Sequence, residues 1–415
     1  MHPSSLENMQ RCLSWYGPAT SKRVVDIGGA SVNGSYRDIF VDASEFLCLD
    51  LQGGPSVDIV LDDPYRLPFP DESVDVVISG QMLEHCAQFW RLFTEIARVL
   101  KPEALFFIIA PSAGPIHRYP VDCYRFYPDA YQALADWSGL RLVHCWHDER
   151  GPWRDLVGVF QKGGTLEKIA HPKSATFPPH YVAPNSDRAT EALSGQRNYL
   201  DVLADMHKIV NPRLYLEIGI RKGRSLALAS CKAIGIDPGP ELEVRPNDLD
   251  LYTCTSDDFF FFAVQDAITA PVDLAFIDGM HLAEYVYRDF MNLERFMSPS
   301  GVIVIDDVLP NHPLQAARDR QTQAWTGDVW RFPQVLAKLR PDLKLTWLDT
   351  EPTGLLVVSR LDSGNTVLSD RYNPVIRQIL ETPQEQPPAE LIERTFATAP
   401  SESNIRAAVS PADPA

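Results

Sequence analysis

Two glycine-punctuated turns, each leading from an apolar run to an acidic residue, are the stretches of this sequence best equipped for chemistry. In Leu214–Gly239 an apolar run, Leu214–Ile218, meets a turn that holds Gly219 and Gly223. A short helix is expected from Ser225, and a second strand ends at Asp237. Glycines let the backbone approach a ligand closely, and a helix start offers unpaired N–H groups. An acid at the carboxyl end of the second strand is placed to accept hydrogen bonds from a ribose. Val24–Asp50 repeats the device, with Asp26 matching Glu217, Gly28 matching Gly219 and Asp50 matching Asp237. The repetition points to two tandem nucleoside-binding domains. Neither turn spells Gly-x-Gly-x-x-Gly, because Ala30 and Arg221 stand where the second glycine would be.

Other chemistry-bearing residues stand where strands are expected to end. Asp278 closes the apolar run Val272–Ile277, Asp306 and Asp307 close Val302–Ile305, and His281 follows Asp278 by one short turn. Spacing alone suits solvated turn residues, cofactor contacts and metal ligands equally. The segment His117–Tyr131 mixes His117, Tyr119, Asp122, Tyr124 and Arg125 with stiffening prolines. Aromatic faces with polar tips suit a sugar or another polar acceptor, and equally a loop that covers the cofactor. For His85, packing near the cofactor at a helix start is the favoured reading over general base.

The elements that must position these groups fall into two sets. At 415 residues the chain suits two domains and a tail: 1–162, a linker at 163–188, a second domain at 189–361, and a mostly disordered tail at 362–415. Each expected domain is a mostly parallel α/β sheet that ends in an antiparallel hairpin, Leu140–Trp146 with Leu156–Gln161 and Lys344–Leu348 with Leu355–Ser359. Glu84, His85 and Trp90 should open a helix running through Val99, and Leu105–Ala110 reads as a buried parallel strand. Gly327–Arg331 reads as a helix start capped by Asp328. The tail is rich in Pro, Glu, Ala and Ser, a composition that argues against a core.

A formal net charge of −17 and a sequence pI near 5.0 argue against a nucleic-acid partner. The seven cysteines form no Cys-x-x-Cys pair, which fits reduced thiols in a cytoplasm. No signal-peptide pattern opens the chain, and the longest apolar runs are too short to span a bilayer, so no membrane association is expected.

The first 162 residues resemble a class I S-adenosylmethionine-dependent methyltransferase. The resemblance rests on VVDIGGASVNGSY, Asp50, LPFPDESVDVVIS, the following LEH, and VLKP. Glu103-Ala104 departs from it, standing where the family usually has a glycine pair. The resemblance implies that Asp26, Gly28 and Gly34 line the methionine side of the cofactor, Asp50 the ribose, and Asp62 or Asp63 the adenine. Over Ala189–Leu361 the motifs LEIGIRKGRS, FIDGMHLAEYVYRDF and GVIVIDDV are similar to the metal-dependent O-methyltransferases of the catechol and macrolide-sugar types. There the resemblance implies Glu217, Gly219, Gly223, Ser225 and Asp237 at the cofactor. It further implies Asp278, Asp306 and Asp307 around Mg2+, and His281 as the base.

The expectation is therefore a Rossmann-like tandem protein that uses S-adenosyl-L-methionine, with Mg2+ in the second domain. Its partner would be a small-molecule or glycan acceptor, O-methylated on a sugar or a glycosylated metabolite. Two rivals stand beside it. One is a cofactor-binding sensor or scaffold with a degenerate domain. The other is a nicotinamide-dependent dehydrogenase, disfavoured by the glycine spacing and the closing hairpins.

Overall fold

Phe106, Phe107, Ile108, Ile109 and Ala110 are consecutive, apolar and all buried, so the strand that carries them must be covered on both faces. The computed structural model, which describes residues 2–17, 20–31, 34–170, 193–382 and 386–410, shows how. Two compact units emerge. The first comprises Met1–Ala170 with Ser369–Arg377, and the second His171–Leu368 with Gln378–Ala415.

In the first unit the strands are β1 (Arg23–Ile27), β2 (Glu45–Asp50), β3 (Ile59–Val60), β4 (Val74–Gly80), β5 (Leu100–Pro111), β6 (Arg141–His147) and β7 (Asp155–Gln161). They form one sheet in the order β3-β2-β1-β4-β5-β7-β6. β1 to β5 run parallel, and β7 is antiparallel to both β5 and β6. Phe106, Ile108 and Ala110 share a core with Leu92, Phe93, Ile96 and Val99 of helix Phe89–Val99 and with Tyr131 and Leu134 of helix Pro128–Ser138. Helix Pro3–Tyr16, which buries Met9, Cys12 and Trp15, also packs on β5.

The second unit adds β8 (Arg197–Asn198), β9 (Leu214–Ile218), β10 (Lys232–Ile236), β11 (Leu249–Tyr252), β12 (Val272–Ile277), β13 (Met297–Ile305), β14 (Lys344–Leu348), β15 (Thr350–Glu351) and β16 (Leu355–Ser359). Its main sheet runs β11-β10-β9-β12-β13-β16-β14, the same order as the first once β8 and β15, which pair with each other, are set aside. Both units are Rossmann-like, mostly parallel sheets closed by an antiparallel pair, as the hairpin-like segments predict.

Several expectations change. No helix starts at Ser225: a single 3-10 turn, Leu226–Leu228, bridges β9 to β10, as Tyr36–Asp38 does between β1 and β2. Too few residues separate Gly223 from β10 for a full crossover helix. The helix expected from Glu84 is split into a 3-10 turn at Leu83–His85 and the α-helix Phe89–Val99. Asp328 does not cap its own helix, Arg331–Leu339; its Oδ1 accepts from Ala283 N–H at the start of helix Ala283–Glu294.

The largest correction concerns the tail. Helix Glu402–Val409, capped by Ser401, places Ile405, Ala408 and Val409 in the second unit's core beside Val202, Leu203, Met206 and Val357. The i, i+3, i+4 spacing of those three residues supplies an apolar stripe that the bulk composition hides. Buried Arg394 donates to the carbonyls of Ser194, Leu309, Thr350 and Pro352 and to the side chains of Asp349 and Asn311. Tyr372 belongs to the first unit, where its hydroxyl donates to Glu7 and its ring lies under Arg150. Of the expected linker, Gly163–Ala170 belongs to the first unit, and residues 171–188 lie outside those described.

Candidate active sites at the carboxyl edges of the sheets

In each unit the first two strands of the nucleotide device end in an acid, and the glycine turn lies between them. Asp26, at the end of β1, is buried, and neither carboxylate oxygen has a hydrogen-bond partner. Burial pushes its carboxyl up to about 7. Glu217, its counterpart on β9, is equally buried and is also pushed up by burial to about 7, but it accepts from Ser225 Oγ (2.6 Å) and Tyr215 Oη (2.7 Å). Ser225 thus positions Glu217 rather than opening a helix.

The second acid braces the turn. Asp237 Oδ2 accepts from the N–H groups of Ile220 and Arg221 at 2.8 and 2.7 Å, and Oδ1 accepts from Gly239 N–H at 2.7 Å. Two turn N–H groups expected to face a ligand are therefore already satisfied. Asp50 repeats this more loosely, accepting from Ala30 and Gln52 N–H at 3.3 and 3.2 Å. Gly28 (φ 75°), Gly34 (φ 106°), Gly219 (φ 86°) and Gly223 (φ 72°) are all left-handed. At Gly219 a Cβ would lie 1.9 Å from the Asp278 carbonyl oxygen, so only glycine lets the turn seat against the end of β12. Asp62 and Asp63 are exposed beyond β3, and Asp63 Oδ1 accepts from Tyr65 N–H.

The next two strand ends carry the second unit's remaining candidates. Asp278 follows β12, and Asp306 and Asp307 follow β13. Donor atoms of Asp278, His281 and Asp307 lie within 4.8 Å of one another. His281 Nδ1 is 2.6 Å from Asp307 Oδ2, and Nε2 is 3.6 Å from Asp278 Oδ1. Both His281 (φ 55°) and Asp307 (φ 63°) hold left-handed backbone, an arrangement that costs energy and is characteristic of functional sites. Trp325 stacks on the imidazole at 5.3 Å.

Asp306 stands outside this trio; its Oδ1 is engaged by Asp307 N–H and Thr353 Oγ. Burial, then Asp306 and Asp307, hold Asp278 far above the usual carboxylate range. Burial and the Asp307 charge push Asp306 up to about 8. Burial opposes the charge of His281, but Asp307 outweighs it and leaves the imidazole raised. Sequence reasoning missed Thr353, which sits in the Glu-Pro-Thr-Gly turn of the closing hairpin, and Trp325. Neither carries a local motif.

A methyltransferase-domain model matches residues 38–108, and another methyltransferase-domain model matches residues 216–308. The chain carries two tandem methyltransferase domains, one match falling in each unit. A short stretch is 54% identical over 39 residues to an uncharacterized methyltransferase of Mycolicibacterium vanbaalenii, covering 9% of this chain and 15% of that one. Another is 40% identical over 58 residues to a probable S-adenosylmethionine-dependent methyltransferase of Mycolicibacterium smegmatis, covering 14% and 23%. The chain therefore spans less than a quarter of the length of either relative.

Among solved structures, an S-adenosylmethionine-dependent methyltransferase from Mesorhizobium loti is 18% identical, over 38% of this chain and 98% of its own, with a TM-score of 0.32. One from Aquifex aeolicus is also 18% identical, over 39% and 98%, with a TM-score of 0.28. Among the described residues of these methyltransferase domains, no helix is long and apolar enough to cross a membrane.

Proposed function

We propose that the chain is an S-adenosylmethionine-dependent methyltransferase acting on an oxygen of a sugar, glycan or glycosylated metabolite, with its chemistry in the second domain. The observation that carries this reading is the pairing of His281 with Asp307 beside Asp278, at the edge where the glycine turn ends. In an α/β sheet that edge opens on the ligand crevice. Methyl transfer from a sulfonium is an in-line displacement. The acceptor oxygen forms the new bond to carbon as the sulfur–carbon bond breaks, leaving S-adenosylhomocysteine, so alignment dominates the rate.

A sugar hydroxyl is a poor nucleophile until its proton leaves. His281 Nε2 takes that proton while Asp307, against Nδ1, holds the ring and stabilises its positive charge. A hard divalent cation held by Asp278 and Asp307, with Asp306 behind them as the third carboxylate of the reading, would relieve these crowded buried carboxyls with its positive charge. When bound, Mg2+ would lower the pKa of an acceptor hydroxyl. In both domains Asp26 or Glu217, Asp50 or Asp237, and the glycine turns bind the cofactor.

The test is methyl transfer from labelled S-adenosylmethionine to a panel of sugars, nucleotide sugars and glycosides by the full chain, with and without chelator. Label on a sugar oxygen, lost in His281→Ala, is expected. Transfer to nitrogen or carbon acceptors only, or an undiminished rate in His281→Ala, overturns the reading.

A further inference from the structure

The first domain carries a group of side chains that the glycine-turn device does not use. Glu84 lies in the 3-10 turn after β4, fully buried, and neither oxygen has a hydrogen-bond partner. A carboxylate placed like this is costly unless something positive or protic meets it. Burial accordingly pushes its carboxyl up to about 8. What meets it are two imidazoles. His85 Nε2 is 3.6 Å from Glu84 Oε1, and His117 Nε2 is 3.9 Å from the same oxygen. Donor atoms of all three residues lie within 4.8 Å of one another.

The far side of each ring is held. His85 Nδ1 is 2.5 Å from the Val121 carbonyl oxygen. His117 Nδ1 is 3.4 Å from Asp122 Oδ2, and Arg125 fixes that carboxylate through two nitrogens at 2.7 and 2.9 Å. Asp122 also accepts from the His117 backbone N–H, and Trp153 packs on the His117 ring. With Nδ1 of His85 against the Val121 carbonyl, its proton belongs on Nδ1 and its Nε2 is left to accept. His117 Nδ1 lies near Asp122 without a hydrogen bond, and its Nε2 faces the same Glu84 oxygen at 3.9 Å. A carbonyl or carboxylate behind each imidazole is the usual support of a metal-binding histidine.

We propose that Glu84, His85 and His117 bind a divalent transition-metal ion, zinc foremost. Zinc bonded at about 2.0–2.1 Å to three tetrahedral donors sets those donors ~3.3 Å apart. The separations from Glu84 Oε1, 3.6 and 3.9 Å, exceed that by about 0.3 and 0.6 Å, and donor atoms of the two histidines lie within 4.8 Å of each other, so the three side chains close on an ion by small rotations. Two imidazoles and one carboxylate suit zinc or ferrous iron far better than magnesium. Three protein donors leave a position for water or an acceptor atom, and the strand ends that carry them, those of β4 and β5, bound the sheet's ligand crevice. His117 is partly exposed, which gives the ion a way in.

The test uses the full chain, stripped with chelator, and titrates it with zinc by calorimetry and with cobalt(II) by visible absorption. One equivalent should bind with the intense bands of a tetrahedral nitrogen-ligated cobalt ion. Glu84→Gln and His117→Ala should each weaken it by about 100-fold or more, and Asp122→Asn by about 10–100-fold. Asp307→Asn, which alters only the second domain's cluster, should leave it in place. Zinc binding lost in Asp307→Asn but kept in His117→Ala would assign the ion to the second domain and overturn the proposal, as would no binding at all. Thermal unfolding of each metal-free variant checks that it folds. If His117→Ala does not, Glu84→Asp, which shortens the carboxylate's reach, must give the same loss.

Discussion

Asp26 and Glu217 occupy the same place in two sheets and answer burial differently. Glu217 is met by two hydroxyls, whereas Asp26 is met by none. A carboxyl raised from 3.8 to about 7 favours the folded state's proton. Its contribution is therefore intact below pH 4 and is lost as pH rises toward 7, by roughly 1.4 kcal/mol per pH unit at most. Asp26→Asn should leave the melting temperature unchanged at pH 4 and raise it at pH 7.5, by an amount worth a few kcal/mol, on the order of the full shift. Melts that respond equally at both pH values would show that Asp26 does not titrate in this way. At His281 the expected loss is kinetic: His281→Ala should slow methyl transfer by roughly 10²–10⁴-fold, with S-adenosylhomocysteine affinity unchanged by calorimetry. The acids and glycines of both turns were legible because they sit at strand ends in sequence order. The Glu84 cluster was not, because His117 reaches it from the far end of another strand and only the fold brings them together.

The glycine turns were legible as breaks in an apolar pattern, but the segments after them were not. A 3-10 turn and a short helix read alike over so few residues, and only the distance to the next strand decides. The closing hairpins were plain in both halves, since each pairs two apolar runs across a turn. Glu103, where a glycine was expected, takes φ 65°, so the turn keeps its glycine-like geometry at the cost of strain. Left-handed positions separate by what surrounds them. Gly139 (φ 73°) has open space at its Cβ, and Gly139→Ala should cost only about 1 kcal/mol. Gly219→Ala meets the Asp278 carbonyl at 1.9 Å and should abolish cofactor binding in the second domain. Calorimetry with S-adenosylhomocysteine distinguishes the two outcomes.

On the scale of the whole chain, composition misled where spacing did not. A stretch rich in Pro, Glu, Ala and Ser still carries Ile405, Ala408 and Val409 on one stripe, and the core takes them in. Ile405→Ala should destabilise the second domain by about 2–4 kcal/mol, read from denaturant unfolding. Removal of everything after Leu361 should leave neither domain at its full stability, because the first also loses Tyr372 from beside Glu7 and Arg150. A truncated chain that melts as the full one does would show that the tail is dispensable.

The membership of Ser369–Arg377 in the first unit bears on biosynthesis. A ribosome finishes the first sheet early, yet it must translate roughly 200 further residues, on the order of 10–40 s of elongation, before the segment that completes that unit emerges. Through that interval the first unit lacks Ser369–Arg377, and every strand of the second sheet is synthesised before that segment. A gene fragment that stops after Ala170 encodes this intermediate rather than a domain. Autonomous folding of the first methyltransferase unit would then require Ser369–Arg377 to be supplied as a separate peptide or fused to it by a redesigned join.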